Sequence, residues 1–371
     1  MIQNADVIVI GGGIAGASAA AELAAHCRVI LLEMESQPGF HATGRSAAFF
    51  AASYGNEVVR GITAASEPFF RSPPSDFTEV PLLQPRDCIF VGRADQQAQL
   101  DAMKADNPDL QSLSAEEVLQ AVPILSQAYV ARGLRDVLGG NLDVDAVLQG
   151  YLRLLKKRGG QLVCSEPVVA MNRSNGRWQL EGGKGQYAAP IVVNAAGAWV
   201  DPVAELAGLK GLGHSPMRRT AMLIDPPEDI EIQHWPLLID ADEEFYFKPD
   251  AGLLLISPAD ETPSQACDAQ AEELDIAIAI DRFEKATGLA PRRVNHRWAG
   301  LRTFAPDRTF VAGFDPRTEG FFWLAGQGGY GVQSAPGLSH LATALITRSQ
   351  PSEHYQSVLA YVDDVSPARL L

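Results

Sequence analysis

The stretch from Asp6 to Ser46, DVIVIGGGIAGASAAAELAAHCRVILLEMESQPGFHATGRS, constrains this chain more than any other. Asp6–Ile10 is a short apolar run of β type. Gly11, Gly13 and Gly16 follow as G-x-G-x-x-G, Ala17–Ala25 is rich in small helix formers, and Arg28–Leu32 is a second β run closed by Glu33. A strand, a glycine-rich turn, a helix and a second strand in that order form the β-α-β unit that holds a dinucleotide. Gly11 permits the tight turn, Gly13 lets backbone approach a pyrophosphate, and Gly16 lets the helix sit close on the strand. The helix N-terminus then faces the phosphates with free N–H groups and partial positive charge. Glu33 is placed to accept both hydroxyls of a ribose, which disfavours a 2′-phosphate and hence NADP. The fingerprint alone leaves FAD and NAD both open.

The chain has 371 residues, enough for two domains or one large interleaved unit. Its formal net charge of -15 argues against nucleic acid and against an anionic membrane surface as partners. Cys27, Cys88, Cys164 and Cys267 lie far apart without C-x-x-C or metal-ligand spacing, and read as reduced thiols of a cytoplasmic protein. No basic n-region precedes the first strand, and no apolar run reaches membrane-spanning length. Peripheral membrane contact through a few exposed residues stays open.

Beyond Glu33, the Gly- and Pro-containing SQPGFHATGRSAA reads as a loop into a short helix, with Ser46 as its cap and Arg45 facing a phosphate. Glu57–Phe70 has helical apolar spacing, Arg71–Pro85 is Pro-rich loop, and Cys88–Val91 is a β run. Helices are expected at Gln96–Lys104 and Ser114–Ala121, the latter opened by a Ser114/Glu117 capping box. Asn141–Arg158 is an amphipathic helix capped by Asp143. Strands follow at Gln161–Cys164 and Val168–Met171, with an Asn175-Gly176 hairpin into Trp178–Leu180. The strand Ile191–Asn194 runs into small residues at Ala195–Ala198, and Trp199–Ala207 is helical. Arg218–Ile224, Leu237–Asp240, Glu244–Lys248 and Leu253–Ser257 are β runs in close succession, the mark of an antiparallel sheet. A helix at Ala271–Thr287 and strands at His296–Phe304, Phe310–Gly313 and Phe321–Ala325 lead to a second glycine-rich turn, Gly326–Gly331. That turn opens a helix at about Ser334–Arg348.

Four runs, GRSAA at 44–48, VVNAAGAW at 192–199, HRWAGLRTF at 296–304 and GFFWLAGQGGYGV at 320–332, follow the fingerprint in order. Together the series resembles the FAD-dependent D-amino acid oxidase-like superfamily over nearly the whole chain. ITAAS, PLL-x-PR, QGYLR, RR-x-A, FY-x-KPDAG-x-LL-x-SPA and AGLR-x-F make it most similar to the bacterial D-arginine and D-amino acid dehydrogenases. The resemblance implies an α/β fold: a discontinuous Rossmann-like FAD domain (1–50, 141–207 and 305–371) and an α+β substrate domain with an antiparallel sheet (51–140 and 208–304).

It implies non-covalent FAD held by Gly11, Gly13, Ile14, Ala15 and Gly16 at the pyrophosphate and Glu33 at the ribose. Arg45, Ser46 and Ala47 would contact the phosphate-to-flavin stretch, Val168 (or Val169) the adenine, and Ala196 and Gly197 the flavin end. The turn Gly328, Gly329, Tyr330, Gly331 and Val332 would aim a helix N-terminus at the flavin pyrimidine and stabilise negative charge there.

For the substrate it implies Arg219 and Arg302 gripping a carboxylate, since a planar guanidinium offers a bidentate donor. Tyr54 and Tyr246 would add hydroxyls. On a strand, adjacent Arg218 and Arg219 face opposite ways, so one meets solvent. Phe49, Cys88, Leu237 and Gly329 would line the substrate pocket. Cys88 stands where the D-arginine group has a Glu that grips the basic side chain, with Asp87 beside it, and Phe49 stands where that group has a His. These departures favour a neutral or apolar side chain. Cys88 as a nucleophile is the sharper alternative, with no His near it in sequence.

The reaction expected is oxidative deamination of a D-amino acid to a 2-oxo acid and ammonia, with water or Tyr54 taking the amine proton. Quinone, dye and oxygen all stay open as electron acceptor. Three alternatives stand beside it: oxidation of a 2-hydroxy acid or of an N-methyl amino acid, an NAD-dependent dehydrogenase, and a flavin electron-transfer subunit of a larger complex.

Overall fold

The computed structural model describes residues 2–228 and 230–371. Its first layer is a six-stranded sheet in the order Gln161–Val163, Val29–Leu32, Val7–Ile10, Ile191–Asn194, Phe321–Ala325, Val311–Phe314. The first five strands run parallel and the last is antiparallel. Val7–Ile10 and Val29–Leu32 are buried at every position. That explains their unbroken apolar character, because a parallel sheet is covered on both faces.

The helix Ile14–Leu23 lies on this sheet through small side chains, and Ala17, Ala19, Ala20 and Ala21 are fully buried. A Cβ on Gly16 would stand 1.9 Å from the Gly11 carbonyl oxygen, so only glycine permits this approach of helix to turn. Against it packs the long helix Gly331–Thr347, and against that the helix Glu57–Arg71. The Gly337 amide donates to Ser66 Oγ at 2.9 Å, bringing those two backbones together. Val59, Ile62 and Phe70 share one core with Val7, Val9 and Leu341. Residues 57–71 therefore sit with the dinucleotide layer, not with the substrate layer where the sequence placed them. Their periodicity showed that one face was buried but not what covers it.

The second layer is a nine-stranded sheet. Val294–Phe304 pairs antiparallel with Ser215–Ile224, which in turn meets Leu253–Ser257, then Tyr246–Asp250, then Leu237–Asp240. The expected antiparallel order breaks at one joint, where Leu237–Asp240 runs parallel to Cys88–Gly92. Two further strands, Arg132–Asp136 and Gln111–Ser114, extend the sheet beyond that joint. A separate core, including Ile89, Phe247, Ile256 and Phe283, lies between this sheet and the helix Glu273–Thr287.

Two smaller sheets complete the chain. One contains the Asn175-Gly176 hairpin, with φ of 51° and 74° as its two-residue turn requires. The other joins Phe49–Phe50, Gly140–Leu142 and Leu83–Pro85, so the Pro-rich stretch ends in a strand. No helix follows GRSAA. Ser46 Oγ instead accepts from the Ala48 amide at 3.0 Å, and residues 49–50 are strand.

Candidate active site

A cavity of about 380 Å³ runs between the two layers, from the first glycine-rich turn to the inner face of the nine-stranded sheet. At one end stand Gly11, Gly13, Ile14 and Ala15. Gly11 adopts φ of 107°, and a Cβ there would lie 2.4 Å from the Ala195 carbonyl oxygen. The N-cap residue of the helix beginning at Ile14 is Gly13, which has no side chain to cap it, and its first turn holds no acidic residue, so its N-terminus offers its dipole to the cavity. Thr43, which the sequence reading passed over, accepts the Ile14 amide at 3.0 Å through Oγ1. Gly16 does not line the cavity; it acts from behind, by letting the helix down onto the turn.

Glu33 lies in the cavity wall. Its carboxylate accepts from the Gly12 amide at 2.6 Å and from the Glu35 amide at 2.8 Å. Burial pushes its pKa above the usual carboxylate value, against the pull of those two amides. A desolvated carboxylate facing a cavity is a strong acceptor for hydroxyl donors. Val168, Ala196 and Gly197 line the same half of the cavity, whereas Val169 is 54% exposed and turned outward.

Ser46 and Ala47 line the middle. Arg45 does too, but its guanidinium donates to the Ala269 carbonyl at 2.8 Å and the Ala299 carbonyl at 3.1 Å, and pairs with Asp268. It ties the nucleotide layer to the loop above it. This corrects the expected phosphate contact, because these donors are already engaged.

The second glycine-rich turn supplies Gly328, Gly329, Gly331 and Val332. Tyr330 points into the core instead, edge-on to Tyr54 at 5.0 Å between ring centroids. The helix that follows also lacks a side-chain cap and an acidic first turn. Gln327 and Thr303 line the cavity beside it, and Gln327 Nε2 and Thr303 Oγ1 are buried without a hydrogen-bond partner among the described residues. Neither had been singled out from sequence, because an orphaned donor is visible only in three dimensions. Two helix ends without a capping side chain from their own N-cap residue, and two orphaned polar atoms, suit a long polar ligand with anionic and heteroaromatic parts.

The far end is set by strand register. Arg219 lies opposite Gly300, and Arg302 opposite Met217, two residues further along the same antiparallel pair. Both arginines therefore project from one face of the sheet into the cavity. Arg218 faces the other way, as alternation requires, yet only a small part of it reaches solvent. It pairs with Glu272 and, at 2.9 Å, with Asp275 beneath the helix Glu273–Thr287.

Arg219 Nε donates to the Asp260 carbonyl at 2.7 Å, and Nη2 meets Glu261 Oε1 at 3.2 Å. Arg302 differs: its Nη1 is buried with no hydrogen-bond partner among the described residues. Burial works against its charge, while the Tyr246, Tyr54 and Tyr330 phenols and the Glu243 carboxylate act the other way and hold its pKa above the ordinary value. Phenols are uncharged at neutral pH, so they do not neutralise the guanidinium. Gly329 passes directly over it; a Cβ there would stand 3.0 Å from Nη1.

Tyr246 and Phe49 line this end. Tyr54 stands just behind, its hydroxyl donating to Glu243 Oε2 at 3.0 Å. Burial and the Glu243 charge push its pKa well up. Cys88 and Leu237 do not reach the cavity. They lie in the sheet's inner core with Phe90, Ala221 and Tyr246, and Cys88 is fully buried. Burial, then Asp136 and Asp87, raises the Cys88 thiol pKa well above its ordinary value, which removes the nucleophile alternative. Asp87 is held by Arg135 at 3.4 Å.

The family described as FAD dependent oxidoreductase (DAO) matches residues 6–345. Dimethylglycine dehydrogenase of Mus musculus is 22% identical over 261 residues, covering 64% of this chain and 30% of that protein. The chain thus spans under a third of that relative's length. The solved L-proline dehydrogenase of P. horikoshii superposes with a TM-score of 0.84 at 19% identity, covering 100% of this chain and 98% of that one. FAD-bound L-α-glycerophosphate oxidase of Mycoplasma pneumoniae gives 0.83 at 16% identity, covering 93% and 95%. Among the described residues no helix is long and apolar enough to cross a membrane.

Proposed function

Because the chain belongs to the DAO family of FAD dependent oxidoreductases, we propose that it oxidises the Cα–N bond of a D-amino acid with a neutral or apolar side chain. The products are a 2-oxo acid and ammonia, formed by hydrolysis of the imino acid. The observation that carries this reading is Arg302, a guanidinium with a buried, unpartnered Nη1 at the roofed end of the cofactor cavity. A cation held that way is made for an anionic ligand, and a carboxylate fits its fork.

FAD, when bound, supplies the acceptor for the two electrons removed. Gly11, Gly13, Ile14 and Glu33 would hold its adenine-nucleotide half, and the turn at Gly328–Gly331 its flavin end. Everything else falls to side chains that position. Arg302, with Arg219 beside it on the same sheet face, fixes the carboxylate. Tyr246 and Tyr54 add hydroxyl donors, with Tyr54 exchanging its Glu243 acceptor for the substrate. Phe49 and Ala221 offer an apolar wall for the side chain. With carboxylate and side chain both fixed, Cα–H has one direction left to face, and such orientation is the main catalytic contribution. Burial favours the neutral form of Tyr54, so it serves as a donor and the amine proton leaves to water.

D stereochemistry rests on the motif series from GRSAA to AGLR-x-F. A second reading, oxidation of an N-substituted amino acid, is favoured by the names of two matched proteins, a dimethylglycine and an L-proline dehydrogenase. The same clamp would serve it. Anaerobic mixing of the FAD-loaded protein with D-leucine, D-methionine or D-phenylalanine bleaches the flavin if the first reading is right. Bleaching by N-methylglycine or L-proline, and by no D-amino acid, replaces it with the second.

A further inference from the structure

Two arginines enter the substrate end, but they do not bring the same free charge. Glu261 is the cause. Its Oε1 meets Arg219 at 3.2 Å, and its two oxygens take both Nη atoms of Arg308, at 2.8 and 3.0 Å. Arg308 in turn sits over Phe304, 4.0 Å from the ring centroid. The loop carrying Glu261 is fixed from below. Ala259 sits at φ of 50°, and the Asp260 carboxylate accepts from the Thr220 amide at 2.6 Å and from its hydroxyl at 3.1 Å. Glu261 is therefore a placed counter-ion, not a mobile surface acid. Its carboxyl stays below the usual range, since Arg308, Arg219 and Arg302 together outweigh its burial. Arg302 has no such partner, and the nearby Glu243 carboxylate is taken by the Tyr54 hydroxyl.

We propose that Glu261 sets the charge class of the substrate: by compensating part of the charge of Arg219, which shares that carboxylate with Arg308, it leaves Arg302 as the cation of this end with no carboxylate partner among the described residues, so the site accepts monocarboxylates and turns away dicarboxylates. The inference rests on the amino acid reading above and deepens it. One carboxylate satisfies Arg302 and gains hydrogen bonds from Arg219 without needing its charge. A second carboxylate has only Arg219 left to meet, and there it confronts Glu261. Like charges set side by side suppress the wrong ligand. Glu261 acts through Arg219 and so is a positioning residue.

The test uses the FAD-loaded protein and titrates propionate and succinate, reading the perturbation of the flavin absorption spectrum on binding. The wild type binds propionate and discriminates against succinate. Glu261→Gln shifts the ratio of dissociation constants toward succinate by about tenfold or more, while Glu261→Asp keeps the wild-type ratio. Arg308→Gln, which leaves Glu261 wholly to Arg219, moves the ratio the opposite way. A loss of structure alone would move all three variants together. Propionate binding with an unchanged ratio in Glu261→Gln overturns the role of Glu261 and leaves the carboxylate clamp standing. If Glu261→Gln does not fold, Arg308→Gln decides alone: a shift toward succinate overturns the proposal. Failure of propionate to perturb the wild-type flavin overturns the clamp and the proposal with it.

Discussion

Replacing Arg302 by methionine should make the FAD-loaded, substrate-free protein more stable while removing most of its activity. Arg302 contributes a donor, Nη1, that is sealed without a partner. An unsatisfied buried donor costs about 1–3 kcal/mol, which an apolar side chain of similar length recovers. Taking an unfolding entropy of roughly 2.1 cal/mol/K per residue over 371 residues, that gain raises Tm by about 1–4 °C. Loss of a buried, hydrogen-bonded charge contact to the carboxylate costs about 2–5 kcal/mol, so kcat/KM falls roughly 30- to 5,000-fold. Differential scanning calorimetry of holoenzyme without substrate, beside steady-state kinetics, reads both numbers. A drop in Tm of several degrees would mean instead that Arg302 is already paired within the fold and holds structure, not substrate.

Other consequences follow from the same geometry. Glu33→Gln weakens FAD binding by roughly 10- to 150-fold, the value of charge-assisted hydrogen bonds of about 1.5–3 kcal/mol, measured by flavin fluorescence. Burial raises the Glu33 pKa, so without FAD its contribution to stability is full below the ordinary carboxylate value and is lost as pH rises through the higher folded value. FAD needs the ionised acceptor, so its affinity should climb as pH rises across that window; a Glu33→Gln protein with an equally steep profile would place the titration elsewhere. Gly16→Ala puts a Cβ 1.9 Å from the Gly11 carbonyl oxygen and should cost about 1–3 kcal/mol as an overpacked contact, with release of FAD, measured by urea unfolding and retained absorbance. Native thiol titration with site mapping should find the exposed Cys267 reacting first and the buried Cys88 only on unfolding.

Local chemistry made the nucleotide layer readable. Three glycines with steric reasons of their own, and strands buried on both faces, carry their structure in a few adjacent residues. The strands Arg132–Asp136 and Gln111–Ser114 were not readable, because RGLRD and QSLS have no strand pattern and exist by pairing with Cys88–Gly92 and with each other. The parallel joint between Leu237–Asp240 and Cys88–Gly92 joins segments nearly 150 residues apart by number, and nothing local encodes it. At the site, residue types were legible and states were not. Arginine at 219 and 302 could be anticipated, but only their surroundings separate the partly compensated cation from the free one. Arg45 and Cys88 failed for the same reason: sequence gives a side chain's reach, while the fold decides whether a carbonyl or an apolar core has already claimed it.

Orientation of an amino acid by its carboxylate at the roofed end of this cavity is open to one experiment. Rapid anaerobic mixing of the holoenzyme with D-leucine, and separately with 3-methylbutylamine, which is the same molecule without its carboxylate, tests it directly. D-leucine should bleach the flavin fast, and the amine little or not at all. Equal bleaching by both, or by the amine alone, would contradict it.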